Sequence, residues 1–465
     1  MLLIGKKFTL AVVLVGVVLS SFGQTTSGNV NLDKVNTVTT AVPFLRITND
    51  TRAGGMGDVG IAMSPDANGA QQNGAKMGFL ENTGGVGISF TPWLKSLVND
   101  IYLANLTGYY NIKKVGAIHA GLRYFSLGSI QFTDQYGTNT IQVRPQELAV
   151  DLGYSRRLGK IASVGATLRF IYSDIAPGGV DLGNGSGVTK PGLAGAADIS
   201  VLVDKIFEPK QGEMRHELYW GLCMSNIGSK ITYTSNTVKD YIPANLGMGL
   251  GYKLHLDKQD KHTIAAYIDI NKLLVPTPIP VEQLYLNYGT STQKIKPEYD
   301  KNGNGVADYK EQSPISAIFT SFGDAPGGAL EELREISTSV GAEYMYKKMF
   351  GIRLGYFYEH PTKGNRNYMT IGATVKYSVA TLHISYLVPT SNLRNPLDNT
   401  FRLSMAFEFS KGALKKKPAD AAPTEGGEVA PPAPLDKPEK RTKKGKTAKD
   451  SPPTQEVQPM DLIKQ

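Results

Sequence analysis

The sequence predicts an all-β chain: a transmembrane antiparallel β-barrel of about 14 strands, with an N-terminal plug-like segment and a disordered C-terminal tail. Three observations predict it. From about Gly85 to Phe409, apolar and polar residues alternate in segments of about ten. Short and long connections between these segments alternate as well. Beyond the N-terminal leader, no stretch approaches the roughly 20 apolar residues that a membrane-spanning helix needs.

The leader itself reads as a signal peptide over residues 1–23. Lys6 and Lys7 supply the charged start, Phe8–Leu19 the apolar middle, and Ser21-Phe22-Gly23 the small residues before cleavage at Gln24. The apolar run is too short to span a bilayer, and no cysteine near the site offers a lipid attachment. The 465 residues hold one cysteine, Cys223, so no internal disulfide forms. The net charge of +9 is uneven: two Lys lie in the leader, and residues 411–465 hold 12 Lys/Arg against 8 Asp/Glu. The basicity sits largely in that tail, which leaves no case for nucleic-acid binding.

The strand segments have period two. In Tyr368–Tyr377, Met369, Ile371, Ala373 and Val375 point one way, and Thr370, Gly372, Thr374 and Lys376 the other. Phe401–Phe409 sets Phe401, Leu403, Met405, Phe407 and Phe409 against Arg402, Ser404, Ala406 and Glu408. Fourteen such segments fall at about 85–91, 101–112, 115–125, 146–157, 161–173, 193–204, 217–227, 246–256, 262–271, 336–347, 350–359, 367–377, 380–388 and 400–409. They exceed the usual five or six residues of a soluble-sheet strand. Their polar faces carry Arg123, Asp151, Arg169, Glu343, Arg353, Glu359, Arg402 and Glu408, charges that pair inside a lumen better than on a sandwich face. Only closure into a barrel satisfies strand backbones in lipid. Connections at 92–100, 126–145, 174–192, 228–245, 272–335, 360–366 and 389–399 are mostly long, and those between them are short apart from 205–216. This is the asymmetry of outer-membrane barrels, and an even strand count places both termini in the periplasm and the long loops outside.

Three regions lie outside the wall. Residues 24–84 hold no convincing strand, are glycine-rich between Gly54 and Gly60, and read as a plug. No strand precedes that glycine-rich run and no Lys-Ser/Thr follows it, against a phosphate loop. The long insertion 272–335 contains Asp300-Lys301-Asn302-Gly303-Asn304-Gly305-Val306-Ala307-Asp308-Tyr309-Lys310-Glu311. This matches a twelve-residue calcium loop, with oxygen ligands from Asp300, Asn302, Asn304, Asp308 and Glu311, the carbonyl of Val306, and Gly305 at the turn. The segment before it, Lys294–Pro297, does not read as a helix, whereas Ser313-Pro314 starts a short helix to Phe322, and Gly328–Ile336 a second. The expected cofactor is Ca²⁺. The tail 411–465, rich in Pro, Lys, Ala and Glu, reads as a disordered periplasmic extension of the barrel at 85–410.

Catalytic signatures are sparse. The six His are scattered, and neither a Gly-x-Ser-x-Gly elbow nor a His-Glu-x-x-His helix occurs, so no enzyme is expected.

Val42-Pro43-Phe44-Leu45-Arg46-Ile47, Arg52-Ala53-Gly54-Gly55-Met56-Gly57-Asp58-Val59-Gly60 and Ser64-Pro65-Asp66-Ala67-Asn68 resemble the signature of the PorV (LptO) family, FadL-related barrels of the type IX secretion system. The resemblance covers about 42–409. It departs at Asn73-Gly74-Ala75, where the family usually has Asn-Pro-Ala, and in the added tail. It implies an outer-membrane protein, in contact with outer-membrane lipid, that collects secreted cargo by its C-terminal sorting domain at a Sov- or SprA-type translocon. It further implies delivery to a PorU-type attachment complex. A FadL-like transporter of hydrophobic small molecules is the rival on the same fold, and a lipopolysaccharide deacylase would need a nucleophile–base pair that the chain does not display.

Overall fold

Alternation decides which way each strand faces. In a membrane barrel the apolar face meets lipid and the polar face meets the lumen, the inverse of a soluble sheet. The computed structural model describes residues 35–93, 100–133, 137–180, 187–209, 214–234, 238–290, 292–390 and 400–410. The expected signal peptide at 1–23 and the tail at 411–465 lie outside these residues. Among the described residues eighteen strands form: β1 Gly84–Pro92, β2 Ile101–Ile112, β3 Gly116–Leu127, β4 Ile130–Thr133, β5 Asn139–Val143, β6 Gln146–Leu158, β7 Ala162–Asp174, β8 Gly192–Phe207, β9 His216–Gly228, β10 Asn245–His255, β11 His262–Leu273, β12 Tyr285–Leu286, β13 Lys294–Ile295, β14 Ser337–Tyr346, β15 Phe350–Tyr358, β16 Tyr368–Tyr377, β17 Ala380–Pro389 and β18 Phe401–Phe409.

Fourteen of them close into an antiparallel barrel in chain order, with β1 paired to β18 by Gly84↔Phe409 through Phe90↔Leu403. The expected fourteen wall segments match these strands to within three residues at either end. The other four are two hairpins inside long loops, β4–β5 and β12–β13, which alternation over only two to five residues does not announce. The connection expected at 205–216 is shorter than that, because β8 runs on to Phe207. One irregularity breaks the ladder, between Ala197 and Ile199 of β8 opposite β9.

The faces are sorted as the membrane requires. Leu152 and Leu168 are 64% and 68% exposed on the outer surface, while their neighbours Asp151, Thr167 and Arg169 are buried inside. In β16 the outward residues are Met369, Ile371 and Val375, and Thr370 and Thr374 are buried. A soluble sandwich would bury the first set.

Residues 35–83 form no strand and sit in the lumen. They fold as short turns: a 3-10 turn Pro43–Arg46, helix α1 (Thr51–Gly54), and further 3-10 turns Gly69–Gln71 and Gly74–Phe79. Phe44, Ala53, Met56, Met63, Met77 and Lys76 are essentially inaccessible. Outside the wall, the insertion between β11 and β14 carries four short helices: α2 (Val281–Leu284), α3 (Asp308–Glu311), α4 (Pro314–Thr320) and α5 (Ala329–Arg334). Ser313 caps α4 by accepting the Ser316 N–H at 3.1 Å, as its position before proline predicts, and both helices fall one or two residues short of the expected ends.

Candidate functional site

The plug is positioned by charge pairing with the wall. Asp50 caps α1, accepting the Arg52 N–H at 2.8 Å. Arg52 then reaches Asp66 at 2.8 Å within the plug and Glu343 of β14 at 2.7 Å, and Glu343 also holds Arg353 of β15 at 3.0 Å. A second pair lies beyond it. Asp58 accepts from Arg402 of β18 at 2.5 Å and from the Tyr368 hydroxyl at 2.5 Å. A third anchor is Asp269 of β11, which accepts the Gly60 and Ile61 N–H groups at 2.5 and 2.8 Å. The lumen charges foreseen from the wall therefore pair as a class, though partly with other partners. Arg123 and Arg169 share Asp151, and Arg169 adds Asp198. Glu359 binds Arg366, Arg402 takes the plug's Asp58, and Glu408 takes Lys376.

Glycine lets the plug lie flat against the wall. Gly57 has φ +69°, a conformation side chains rarely adopt, and a Cβ there would strike the Tyr356 backbone at 2.5 Å. Gly55 faces Gly372 of β16, with 3.0 Å between a Cβ and the Gly372 Cα. At the departure from Asn-Pro-Ala, Asn73 still caps its turn by accepting the Ala75 N–H at 3.0 Å. Its amide also donates to the Ile61 carbonyl at 2.8 Å and the Val201 carbonyl at 3.0 Å. Gly74 takes the place proline would occupy at the start of a helix without disturbing those bonds.

Burial shifts the plug's ionisable groups. Desolvation, with Asp66 close by, pushes Asp50 up to about 6. Asp66 is buried too, but Arg52 and Lys76 hold it below the usual carboxylate range. Burial lowers Lys76, whose ammonium has no hydrogen-bond partner among the described residues.

Above the plug lies a cavity of about 600 Å³, lined by Arg46, Asp58, Gln72, Trp93, Asp269 and Arg402 among others. Its walls mix charges and amides with a few aromatic faces. At the wall's long-loop end, helix α5 is strapped down by ion pairs: Glu332 and Glu335 to Lys272 at 2.9 and 2.7 Å, and Glu331 and Glu335 to Lys363 at 2.5 and 3.0 Å. Asn36 adds a bond to Glu331 at 3.0 Å. On the same insertion Ile318 packs with Leu274 and Val275, while Ile315, Phe319, Phe322, Leu330 and Leu333 stand exposed, Phe319 at 73%. These five exposed apolar side chains lie on or beside two short helices of the insertion, α4 and α5.

The calcium-loop residues are brought together in part. Asp300 accepts from the N–H groups of Asn304 (3.1 Å) and Gly305 (2.9 Å). The amides of Asn302 and Asn304 donate to the two oxygens of Glu311 at 2.7 and 2.6 Å, and Asp308 accepts the Lys301 N–H at 3.2 Å. Gly303 and Gly305 hold φ +70° and +81°. The three carboxylates do not converge on their own: among the described residues no group of three or more His, Cys, Asp or Glu is arranged to hold a metal. The loop is also tied to the neighbouring β9–β10 connection. The Tyr241 hydroxyl donates to the Gln312 carbonyl at 2.8 Å, and Lys230 donates to the Lys310 carbonyl at 2.6 Å.

Sequence reasoning missed the plug's role as counterion. Arg52, Asp58 and Asp66 lie 14 or fewer residues apart in a segment without periodicity, and their partners lie up to 344 residues away. The one signal available was an excess of lumen charges, such as Glu343 and Arg402, needing partners from outside the wall.

A closed fourteen-stranded barrel with an apolar exterior and a charged, plug-filled lumen is an outer-membrane β-barrel protein. Residues 30–280 match the family described as Type IX secretion system protein PorV, and the chain belongs to that family. Membership places it in type IX secretion and implies association with that machinery. No curated protein matches the chain at a significant level. Among solved structures it is similar to the toluene transporter TodX of Pseudomonas putida, at 12% identity over 77% of this chain and 96% of that one, TM-score 0.41. It is also similar to a Pseudomonas aeruginosa FadL homologue, at 10% identity over 80% and 99%, TM-score 0.36.

Proposed function

We propose that this barrel is a non-catalytic shuttle of type IX secretion. It binds the C-terminal domain of secreted cargo at a SprA/Sov-type translocon and delivers the cargo to a PorU-type attachment complex at the cell surface. Its long loops face outward, and its termini the periplasm. The observation that carries this reading is the family match over 30–280. The exposed apolar group Ile315, Phe319, Phe322, Leu330 and Leu333 supports it, because loops on a rigid scaffold are where such proteins bind partners. A plug locked to the wall by buried ion pairs also suits a carrier that works at its outer face better than a conduit.

Ca²⁺ belongs to the same proposal as an ordering ion. Asp300, Asn302, Asn304, Asp308, Glu311 and the Val306 carbonyl would hold it, with chemistry suited to a hard cation seeking six to eight oxygens. Ca²⁺ would supply there the charge neutralisation that lets the carboxylates approach. Its binding would stiffen the insertion where it meets Tyr241 and Lys230.

The deciding experiment is deletion of the gene. Cargo bearing the sorting domain is expected to accumulate in the periplasm, and purification of the tagged barrel is expected to recover translocon or attachment-complex proteins. Normal export with impaired uptake of fatty acids would overturn this reading in favour of a FadL-like transporter.

A further inference from the structure

The connections at the short-turn end of the barrel share a composition that closure does not require. Lys113-Lys114 join β2 to β3, Lys160 lies between β6 and β7, and Lys347-Lys348 join β14 to β15. Lys258 and Lys261 lie between β10 and β11, Arg215 precedes β9, and Lys376, paired with Glu408, is the next-to-last residue of β16 beside the last such turn. All six connections at this end therefore carry or adjoin a cation.

These cations are largely uncompensated. Lys113, Lys114, Lys160, Lys258 and Lys261 are exposed and make no ion pair with any described residue. Among the acids at this end, Glu81 and Glu208 are exposed without an ion pair to a described residue, while Glu217 and Asp260 are engaged. Glu217 is buried with Arg215, Lys253 and His255, and Asp260 takes Arg215 and Lys348. At the opposite end Lys272, Lys363 and Arg366 each have a glutamate, and other loop cations such as Lys190 and Lys301 have none among the described residues.

At three of these connections the residues that bracket the cations are apolar, although turns are ordinarily polar. Ile112 and Val115 flank Lys113-Lys114 and are 38% and 48% exposed. Leu158 and Ile161 flank Lys160, and Met349 and Phe350 follow Lys348, all exposed. Lys205 stacks over Phe207 at 4.8 Å and Lys347 over Tyr346 at 5.2 Å. Apolar and aromatic side chains at a strand end sit at the hydrocarbon boundary, which sets the adjoining ammonium groups at the height of lipid phosphates.

We propose that this ring binds the phosphate headgroups of anionic phospholipid in the leaflet it enters. A ring covering every connection fits a partner that surrounds the barrel, and a leaflet does so. An acidic protein would touch one sector and would leave the bracketing apolar residues without a role. The lipids themselves fix the rim at the headgroup plane. The inference rests on membrane insertion alone, not on cargo carriage or on which leaflet lies outside.

Trp220, 40% exposed on the outer face of β9, offers a local probe, whereas Trp93 packs against Phe125 among residues at the lumen mouth. The purified barrel is placed in vesicles of brominated phosphatidylglycerol or brominated phosphatidylcholine, and quenching of Trp220 gives the relative affinity. The wild type is expected to prefer phosphatidylglycerol, and salt is expected to weaken that preference. One cation at an anionic surface contributes about fivefold to binding. The variant Lys205→Gln/Lys258→Gln/Lys261→Gln, which removes cations from the end of β8 and the β10–β11 turn on either side of β9, is therefore expected to lose at least about tenfold in preference after screening. Lys113→Gln/Lys114→Gln, on a distant connection, is expected to keep it. Equal quenching by the two lipids in the wild type, or an unchanged preference in the triple variant, overturns the proposal. If the triple variant does not fold, the wild-type salt titration decides, and a preference indifferent to salt overturns it.

Discussion

Asp58 is the plug residue whose removal most directly tests how the plug is held. It neutralises Arg402, which is 1% exposed on β18, and accepts the Tyr368 hydroxyl. Asp58→Asn keeps the side-chain shape, and Asn tolerates the positive φ of 65° at this position. What it removes is the charge, leaving Arg402 buried without a counterion. Breaking a buried pair from one side costs roughly 3–5 kcal/mol. At about 1.4 kcal/mol per tenfold change, detachment of the plug becomes about two to four orders of magnitude more frequent. The wall is held by its closed backbone ladder and is expected to survive. Hydrogen exchange in detergent reads the difference: the N–H groups of Met56, Asp58 and Val59, bonded to Ala53 and Met56 carbonyls, are expected to lose protection while strand amides do not. Adding Arg402→Met removes the orphaned charge and is expected to restore most of the protection. Unchanged exchange at 56–59 in Asp58→Asn would refute the claim that this pair holds the plug.

Four further outcomes follow from the same contacts. Burial and the neighbouring Asp66 raise Asp50 to about 6, so protonation favours the folded plug; its contribution is full below pH ~4 and lost as pH rises through 6. Asp50→Asn is expected to raise plug protection at pH 7.5 and to flatten its dependence between pH 4 and 6. Gly57→Ala, which forces a side chain into a positive φ and against Tyr356, is expected to expose residues 50–63 to protease without altering heat-modifiable migration of the barrel. Glu311→Ala is expected to abolish a calorimetric Ca²⁺ signal in the 10⁻⁴–10⁻³ M range found in extracellular modules, and equal binding by both proteins would reduce the loop to a polar turn. Ile315→Asp/Phe319→Asp is expected to cut recovery of co-purifying secretion proteins several-fold with the barrel intact, and undiminished recovery would remove the apolar patch from the proposed binding face.

The wall was legible because its physics is local. One face in lipid and one in the lumen force period two, so Tyr368–Tyr377 announces itself without reference to any other segment. The plug obeys no period. Its backbone turns are set by Gly57 against Tyr356 and by Gly55 against Gly372, contacts that bring together residues some 300 positions apart. The sequence could show that these glycines were abundant, but not what they lay against. The calcium loop falls between the two cases. Its spacing is local and readable, and the contacts of Glu311 with Asn302 and Asn304 follow from it, whereas its attachment to Tyr241 and Lys230 does not.

The same contrast bears on how the barrel works. A wall whose stability comes from its own ladder leaves the lumen free to hold groups that would be costly elsewhere, and the plug uses that freedom to answer wall charges one by one. Arg52 answers Glu343, and Asp58 answers Arg402. Each such pair is worth little net to folding compared with an apolar substitute, yet losing either partner leaves a buried charge. That asymmetry makes the pairs registration devices: they stabilise one placement of the plug by penalising all others. The floor of the cavity, formed by Asp58, Gly60 and Ile61 with Asp269, is thereby fixed relative to the strands that carry the outer loops. A partner gripping Phe319 and its neighbours would therefore meet a surface mounted on a rigid frame, with α5 tied to the wall by Lys272 and Lys363 and to the lumen segment by Asn36.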